Sequence, residues 1–211
     1  MLVFLFCLVG AYLVGSFPTG YVVSKSLKGI DIRKFGSGSI GFTNVLRVTG
    51  TLPALVTLAG DIGKGVASVY MGSFFSSFTP IDPYTVKGLA GLASIVGHNW
   101  SLFLKFKGGK GVATSAGVFL FLTPLPFLFS LVAMVMAIGL TRYVSLGSII
   151  AAVSLPFFIW FHSGDILTIY LFLSMGTAGM IIIKHRSNLS RLFLGQENKL
   201  GQRVQTRKIN H

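Results

Sequence analysis

Acidic side chains are nearly missing from this chain: five Asp and Glu stand against 18 Lys and Arg. Asp31, Asp61, Asp82 and Asp165 are scattered, and Glu197 is the sole glutamate. They form no cluster able to hold a divalent metal through oxygen ligands. Cysteine is scarcer still. Cys7 stands alone inside a hydrophobic block, which excludes disulfides and a thiolate metal site. Neither a metal nor another cofactor is expected. Charged residues of both signs make up only 11% of the chain, against about a quarter in soluble domains. A separate soluble catalytic module is excluded.

What fills the chain is apolar. Hydrophobic residues make up 52% and come in blocks of roughly 18–25, the length that crosses a bilayer core of about 30 Å. The chain is read as an all-α integral membrane protein, with one polytopic domain over 1–198 and a polar, frayed cytoplasmic tail over 199–211. The opening MLVFLFCLVGAYLV has no preceding Lys or Arg and no small-residue cleavage site, so a removed signal peptide is not expected. Candidate spans are about 2–23, 52–74, 85–104, 112–123, 125–140, 144–162 and 166–183. Thr123-Pro124-Leu125-Pro126 interrupts one long apolar stretch, and proline there makes either one kinked helix or two short ones.

Charge decides between them. With two helices, the loops around Lys25–Arg47, Lys105–Lys110, Arg142 and the basic tail share one side, which the positive-inside rule makes cytoplasmic. Only Lys64 and Lys87 remain elsewhere, and the outer turns carry Asp82 and Asp165. The expectation is therefore about seven transmembrane helices, N-terminus outside and C-terminus cytoplasmic. A helix of about 12 residues spans only about 18 Å, so the short ones must tilt or be sheltered by neighbours. Topology explains the excess of cations, and no nucleic-acid partner is expected.

Three polar strings punctuate the oil: GSGSIGFTNVLR (Gly36–Arg47), FKGGKGVAT (Phe106–Thr114) and KHRSNLSRLFLGQE (Lys184–Glu197). In this topology all three share one face, with Thr141-Arg142-Tyr143-Val144-Ser145 beside them. In the first, glycines permit backbone N–H groups to line an anion nest. Thr43 or Asn44 can cap the following helix, and Arg47 offers a fork to phosphate. A flexible glycine loop with a topology-setting arginine is the equal alternative. In the second, Lys105, Lys107 and Lys110 alternate with Gly108, Gly109 and Gly111. G-x-x-x-x-G-K-[ST] is not satisfied, so nucleotide hydrolysis fails as a reading. A backbone-plus-lysine phosphate cradle is favoured over an ordinary positive-inside loop.

In the third, His185 lies between cations that favour its neutral form, and Asn188 is one turn onward. Glu197 is expected to tie an Arg or Lys in place rather than act as a base. Asp61 and Lys64, at i, i+3 within a span, are expected to neutralise each other, because a lone charge at that depth is costly. His98 is expected to pack or hydrogen-bond at a helix end, and His162 to be solvated. Gly-x-Ser-x-Gly does not occur. Nor does His-x-x-x-x-Asp: five residues beyond His98 and His185 stand Phe103 and Ser190. Any acyl transfer here needs an activated donor other than acyl-CoA.

GSGSIGFTNVLR, GHNWSLFLKFKGGKGVAT and KHRSNLSRLFLGQE resemble, in order and spacing, the three signature motifs of the bacterial acyl-phosphate:glycerol-3-phosphate acyltransferases, the PlsY family. TRYVSLGS and the Asp61/Lys64 pair look like that family too. The resemblance implies a multi-pass enzyme of the bacterial inner membrane with its active site facing the cytoplasm. It would move an acyl group from acyl phosphate to the sn-1 hydroxyl of glycerol 3-phosphate, giving lysophosphatidic acid and inorganic phosphate. By resemblance, Ser37, Arg47, His185 and Asn188 are the catalytic set, Gly108, Gly109 and Gly111 bind acyl phosphate, and Glu197 maintains integrity.

Gly38, Ser39, Thr43, Asn44, Lys105, Lys107, Lys110, Thr114 and Ser145 complete the expected substrate-binding set. Lys105, Lys110 and the glycine loop would hold the donor phosphate, while Arg47, Ser37 and Asn188 hold glycerol 3-phosphate. The proton would pass to His185 or to the donor phosphate. Three residues depart from the family's usual pattern: Ser39 where Asn is general, Phe42 where Ala is, and Ser101 where Pro is. The protein is expected to work as a monomer among membrane lipids. A transporter of a phosphorylated anion is the alternative, disfavoured by cations gathered on one face.

Overall fold

The computed structural model describes residues 1–162 and 168–202. Ser163, Gly164 and Asp165 of the expected outer turn, and Arg203, Arg207 and Lys208 of the tail, lie outside the described residues. Among the described residues there are ten α-helices and no strand. Helix is the local answer to an apolar surround, because it satisfies every backbone group within its own segment.

The first span is not continuous. α1 (Leu2–Ser16) stops at Phe17-Pro18 and α2 (Thr19–Lys28) begins beyond it, since proline brings no N–H to the ladder. α2 closes on Gly29 in the left-handed conformation (φ 69°), a usual helix ending. α3 (Phe42–Thr49) and α4 (Thr51–Ser76) are divided by Gly50. α5 (Pro83–Asn99) starts with Asp82 accepting from the Thr85 N–H at 2.8 Å, a side-chain N-cap. The expected span 85–104 is shorter as helix: α5 ends at Asn99, and a separate 3-10 turn covers Leu102–Leu104.

The ambiguous stretch is two helices, α6 (Val112–Leu122) and α7 (Pro124–Thr141), parted at Thr123. α8 (Val144–His162), α9 (Thr168–Lys184) and α10 (Arg186–Phe193) follow. Among the described residues, four helical runs are long and apolar enough to cross a membrane: α1 with α2, α4, α7 and α8. Leucines, valines and phenylalanines on α1, α7 and α8 face outward, a pattern suited to lipid rather than water.

Inside, Val69, Ile95, Val118, Phe119, Leu155 and Ile159 join α4, α5, α6 and α8 in one buried cluster. α4 and α6 approach closely because each offers a glycine to the other: Gly65 lies against the Thr114 carbonyl and Gly117 against that of Ile62. Small residues of this kind are what let membrane helices meet backbone to backbone. The result fixes the start of α6, and with it the lysine loop, against the middle of α4.

Candidate active site

α9 ends at Lys184, His185 turns the chain, and α10 carries Asn188 and Arg191 on its inner side. The chain then reverses at Gly195 (φ 67°) and brings Glu197 back against α10. Glu197 Oε1 accepts from Asn188 Nδ2 at 2.7 Å and from Ser145 Oγ at 3.0 Å, while Oε2 accepts from Arg191 Nε at 2.8 Å. Burial alone would raise the Glu197 pKa, but the bonds from Asn188, Arg191 and Ser145 outweigh it and hold it below the usual value. Glu197 thus ties a cation, as expected, and the cation is Arg191.

Lys110 reaches the same hub, its Nζ donating to Asn188 Oδ1. Burial lowers its pKa to about 8, against the opposing pull of Glu197. Arg47 comes from α3, its Nη2 donating to the Asn198 carbonyl at 3.1 Å. His185 is buried, and its Nδ1 lies 2.8 Å from the Ile181 carbonyl. A carbonyl only accepts, so Nδ1 carries the proton and Nε2 keeps its lone pair. Burial first, and the neighbouring Lys110 second, push the His185 pKa down to about 4. The neutral form was expected, although from flanking charge rather than from burial.

The lysine loop differs from the expected cradle. Only Lys110 turns inward, whereas Lys105 and Lys107 are exposed. Gly109 N–H is committed to the His98 carbonyl at 3.0 Å, so it is not an open anion donor. Gly108 and Gly109 are glycines because the loop lies on the end of α5. A side chain at Gly108 would strike the His98 and Asn99 backbone, and one at Gly109 the His98 ring. Gly111 (φ 83°) starts α6, and Thr114 is fully buried in its first turn.

The first string also departs from expectation. Neither Thr43 nor Asn44 caps α3, whose N-cap is Gly41 without a side-chain bond. Asn44 is buried and serves as a bracket instead. Its Oδ1 accepts from the Ser37 N–H (2.9 Å), and its Nδ2 donates to the Phe35 (3.1 Å) and Ser39 (2.8 Å) carbonyls. Gly38 N–H goes to the Phe35 carbonyl and Gly41 N–H to Ser39 Oγ. The N–H groups of Ser37, Gly38 and Gly41 are therefore spent inside the loop, and the open nest is not formed there. Ser37 itself is exposed.

Asp61 and Lys64 pair at 2.8 Å as expected. Arg191, Asn198 and the tail contacts were not singled out from the sequence. Arg142 Nη2 donates to the Leu200 carbonyl at 3.0 Å, Leu200 N–H returns to the Arg142 carbonyl, and Lys199 stands over the Tyr143 ring. The expected fraying does not extend to Lys199 and Leu200. His162, at the end of α8, is exposed. Among the described residues no three of His, Cys, Asp and Glu gather in a way that could hold a metal ion.

An apolar cleft opens beside the polar hub, between α6, α7, α8 and α9. Val112 and Ile181 line the end nearest the hub, and Phe119, Phe127, Met134 and Leu155 are among its other walls. Ile181 is the residue whose carbonyl holds His185, and Val112 directly follows Gly111.

Residues 5–195 match the model of the family described as glycerol-3-phosphate acyltransferase. The chain belongs to that family. A Moorella thermoacetica protein named glycerol-3-phosphate acyltransferase 2 is 46% identical over 200 residues, covering 94% of this chain and 98% of that one. The Prochlorococcus marinus glycerol-3-phosphate acyltransferase is 43% identical over 192 residues, 91% of this chain and 95% of the other. A crystal structure of PlsY (YgiH), an integral membrane glycerol 3-phosphate acyltransferase in its glycerol 3-phosphate form, superposes with a TM-score of 0.84 at 37% identity, covering 94% of this chain and 96% of that one.

Ser39, Phe42 and Ser101, read from the sequence as departures, each have a place in the fold. Ser39 Oγ accepts from Gly41 N–H at 3.3 Å. Phe42 packs beside Ile32, Ile40 and Val45. Ser101 Oγ donates to the Ser16 carbonyl at 2.5 Å, a bond proline could not make.

Proposed function

We propose that the chain transfers a fatty acyl group from acyl phosphate to the sn-1 hydroxyl of glycerol 3-phosphate, releasing lysophosphatidic acid and inorganic phosphate. The observation that carries this reading is the junction of two unlike environments. A cationic cluster of Lys110, Arg47 and Arg191, threaded by Asn188 and Glu197, stands beside the Val112–Ile181 end of an apolar cleft. A phosphate-headed, chain-tailed donor fits both at once. Family membership and the relatives' acyltransferase names support the acceptor and remove the ground for a transporter.

Acyl phosphate is a mixed anhydride, already activated, so positioning and charge neutralisation supply most of the acceleration. Lys110 and the first turn of α6 take the donor phosphate, and the acyl chain lies in the cleft. Arg47, Ser37 and Asn188 take glycerol 3-phosphate. The sn-1 oxygen bonds to the acyl carbon, the acyl-carbon to phosphate-oxygen bond breaks, and phosphate leaves with that electron pair. With its pKa near 4, His185 is a weak base. A phosphate group, whose second pKa is near 6, is the better proton acceptor. His185 Nε2 then orients the attacking hydroxyl, and the departing phosphate takes its proton.

The membrane arrangement proposed with this has seven crossings, by α1 with α2 and by α4 through α9, with the N-terminus outside. The site faces the cytoplasm at the bacterial inner membrane, residues 1–198 form the catalytic domain, and 199–211 the tail. The near-complete gathering of Lys and Arg on one side supports it. Lipids surround a monomer. The deciding assay supplies acyl phosphate and glycerol 3-phosphate to the purified protein in detergent and follows phosphate and lysophosphatidic acid together. Equal release of both is expected. No turnover, with substrate uptake into vesicles, would overturn the reading, and activity with acyl-CoA would overturn the choice of donor.

A further inference from the structure

Beneath the lysine loop lies a buried cluster that the proposed chemistry leaves unused. Lys64 Nζ sits 2.8 Å from Asp61 Oδ1 and donates to the Phe17 carbonyl at 3.0 Å, where proline has interrupted α1. His98 Nδ1 lies 3.6 Å from the same Asp61 oxygen. That is beyond hydrogen-bond length but turns the Nδ1 edge of the ring toward the anion. All three side chains are buried. A buried ion pair adds little net stability. What this one supplies is a fixed anion beside the imidazole.

The other edge of the ring faces the loop. A Cβ built on Gly109 would run into His98 Nε2 and would stand only 3.0 Å from Cε1 and 3.1 Å from Cδ2. Gly109 N–H also donates to the His98 carbonyl at 3.0 Å. One residue thus meets Gly109 twice, through its backbone and through its ring, and the next residue is Lys110, which reaches Asn188. Just upstream, Lys105 and Phe106 hold left-handed conformations (φ 53° and 62°). Such strained backbone persists only where its surroundings over-determine it.

We propose that His98 is a positioning residue: its imidazole, oriented by the buried Asp61–Lys64 pair, is the seat on which Gly109 rests, and so fixes where Lys110 enters the phosphate site. This rests on the acyltransferase reading for its kinetic test, though not for its binding test. Gly109→Ala drives a methyl into the ring and displaces Lys110, so kcat/KM falls at least about tenfold. Adding His98→Ser removes the atoms the methyl strikes and recovers at least about fivefold of that loss, a non-additive coupling. In the otherwise native chain, His98→Gln raises the KM of a phosphate substrate at least about fivefold, with kcat within about threefold and an unchanged melting temperature.

A double variant no better than Gly109→Ala, or His98→Gln with native kinetics, overturns the proposal. Inorganic phosphate binding by titration calorimetry separates it from the functional reading. An inactive native protein sinks the acyltransferase chemistry. The seat still stands if His98→Ser restores phosphate affinity lost in Gly109→Ala, and falls if it does not. Should Gly109→Ala not fold, the His98→Gln kinetics and phosphate affinity decide alone.

Discussion

The first polar string and the pair formed by the lysine loop and the third string have similar compositions but opposite economies of hydrogen bonding. Around Asn44, the backbone groups of Ser37, Ser39 and Phe35 are turned inward and satisfied within one loop. Around Glu197, side chains from distant segments are turned toward one another, with Lys110, Asn188, Ser145 and Arg191 meeting across helices. Gly, Ser, Asn and basic residues in a short string are therefore ambiguous. They build a loop where their groups close locally, and a site where those groups wait for partners from elsewhere.

The contrast is broken most sharply at the lysines. Lys110→Met removes the one loop cation engaged with the hub and should lower kcat/KM by about 10³-fold, the scale of losing a charged group aimed at developing negative charge. Lys107→Met, at an exposed position, should cost about threefold by the same measure. Equal losses at the two positions would mean that the loop turns over during catalysis and that the arrangement seen here is only one of its states.

The two asparagines come next. Asn44→Ala leaves several buried backbone groups without a partner, at about 1–3 kcal/mol each at most, and should appear mainly as a lower melting temperature. Asn188→Ala should lower kcat/KM by about 10²-fold with a smaller thermal shift. A variant of Asn44 that is inactive yet as stable as the native chain would make it a substrate contact after all.

That pair also marks how much was legible beforehand. The apolar blocks, the break at Thr123-Pro124 and the Asp61–Lys64 pairing follow from local rules of length, proline geometry and charge, and they were readable. So was the gathering of the strings, because charge counting is a global constraint. What stayed hidden was which partner each polar group would choose. Asn44 sits where an N-cap could be, and only the fold of residues 32–39 over it makes it a bracket. Gly109 sits where the backbone-plus-lysine cradle was expected, but His98 has already claimed its N–H. The Arg191–Glu197 bond depends on the turn at Gly195, and a glycine alone does not announce its direction.

The pH profile tests the hub more gently. Lys110 has its pKa lowered to about 8, and only its cationic form attracts the donor phosphate. In the free enzyme, log kcat/KM for acyl phosphate should therefore be flat from about pH 7 up to that value, above the titration of the substrate phosphate near 6, and fall about tenfold per pH unit above it. Glu197 raises the Lys110 pKa, so Glu197→Gln should move the break to lower pH. A break that moves upward would mean that Glu197 does not act on Lys110 through charge.

A modest effect is expected at His185, one of the two proton acceptors that the sequence left open. Its Nδ1–H is bound to the Ile181 carbonyl and its pKa lies near 4, so at neutral pH it is already unprotonated. A base three units below the working pH gains little driving force for proton removal. If the leaving phosphate takes the proton, His185→Ala loses only the orientation of the hydroxyl, about tenfold in kcat. The same variant should leave no acid limb to lose, because the native profile near pH 6 is set by the substrate phosphate rather than by the imidazole. A loss of about 10⁴-fold, the upper range for a positioned general base, together with an acid limb that vanishes in the variant, would return the proton to His185. It would also show that the cation hub raises this imidazole's basicity once two phosphates are bound beside it.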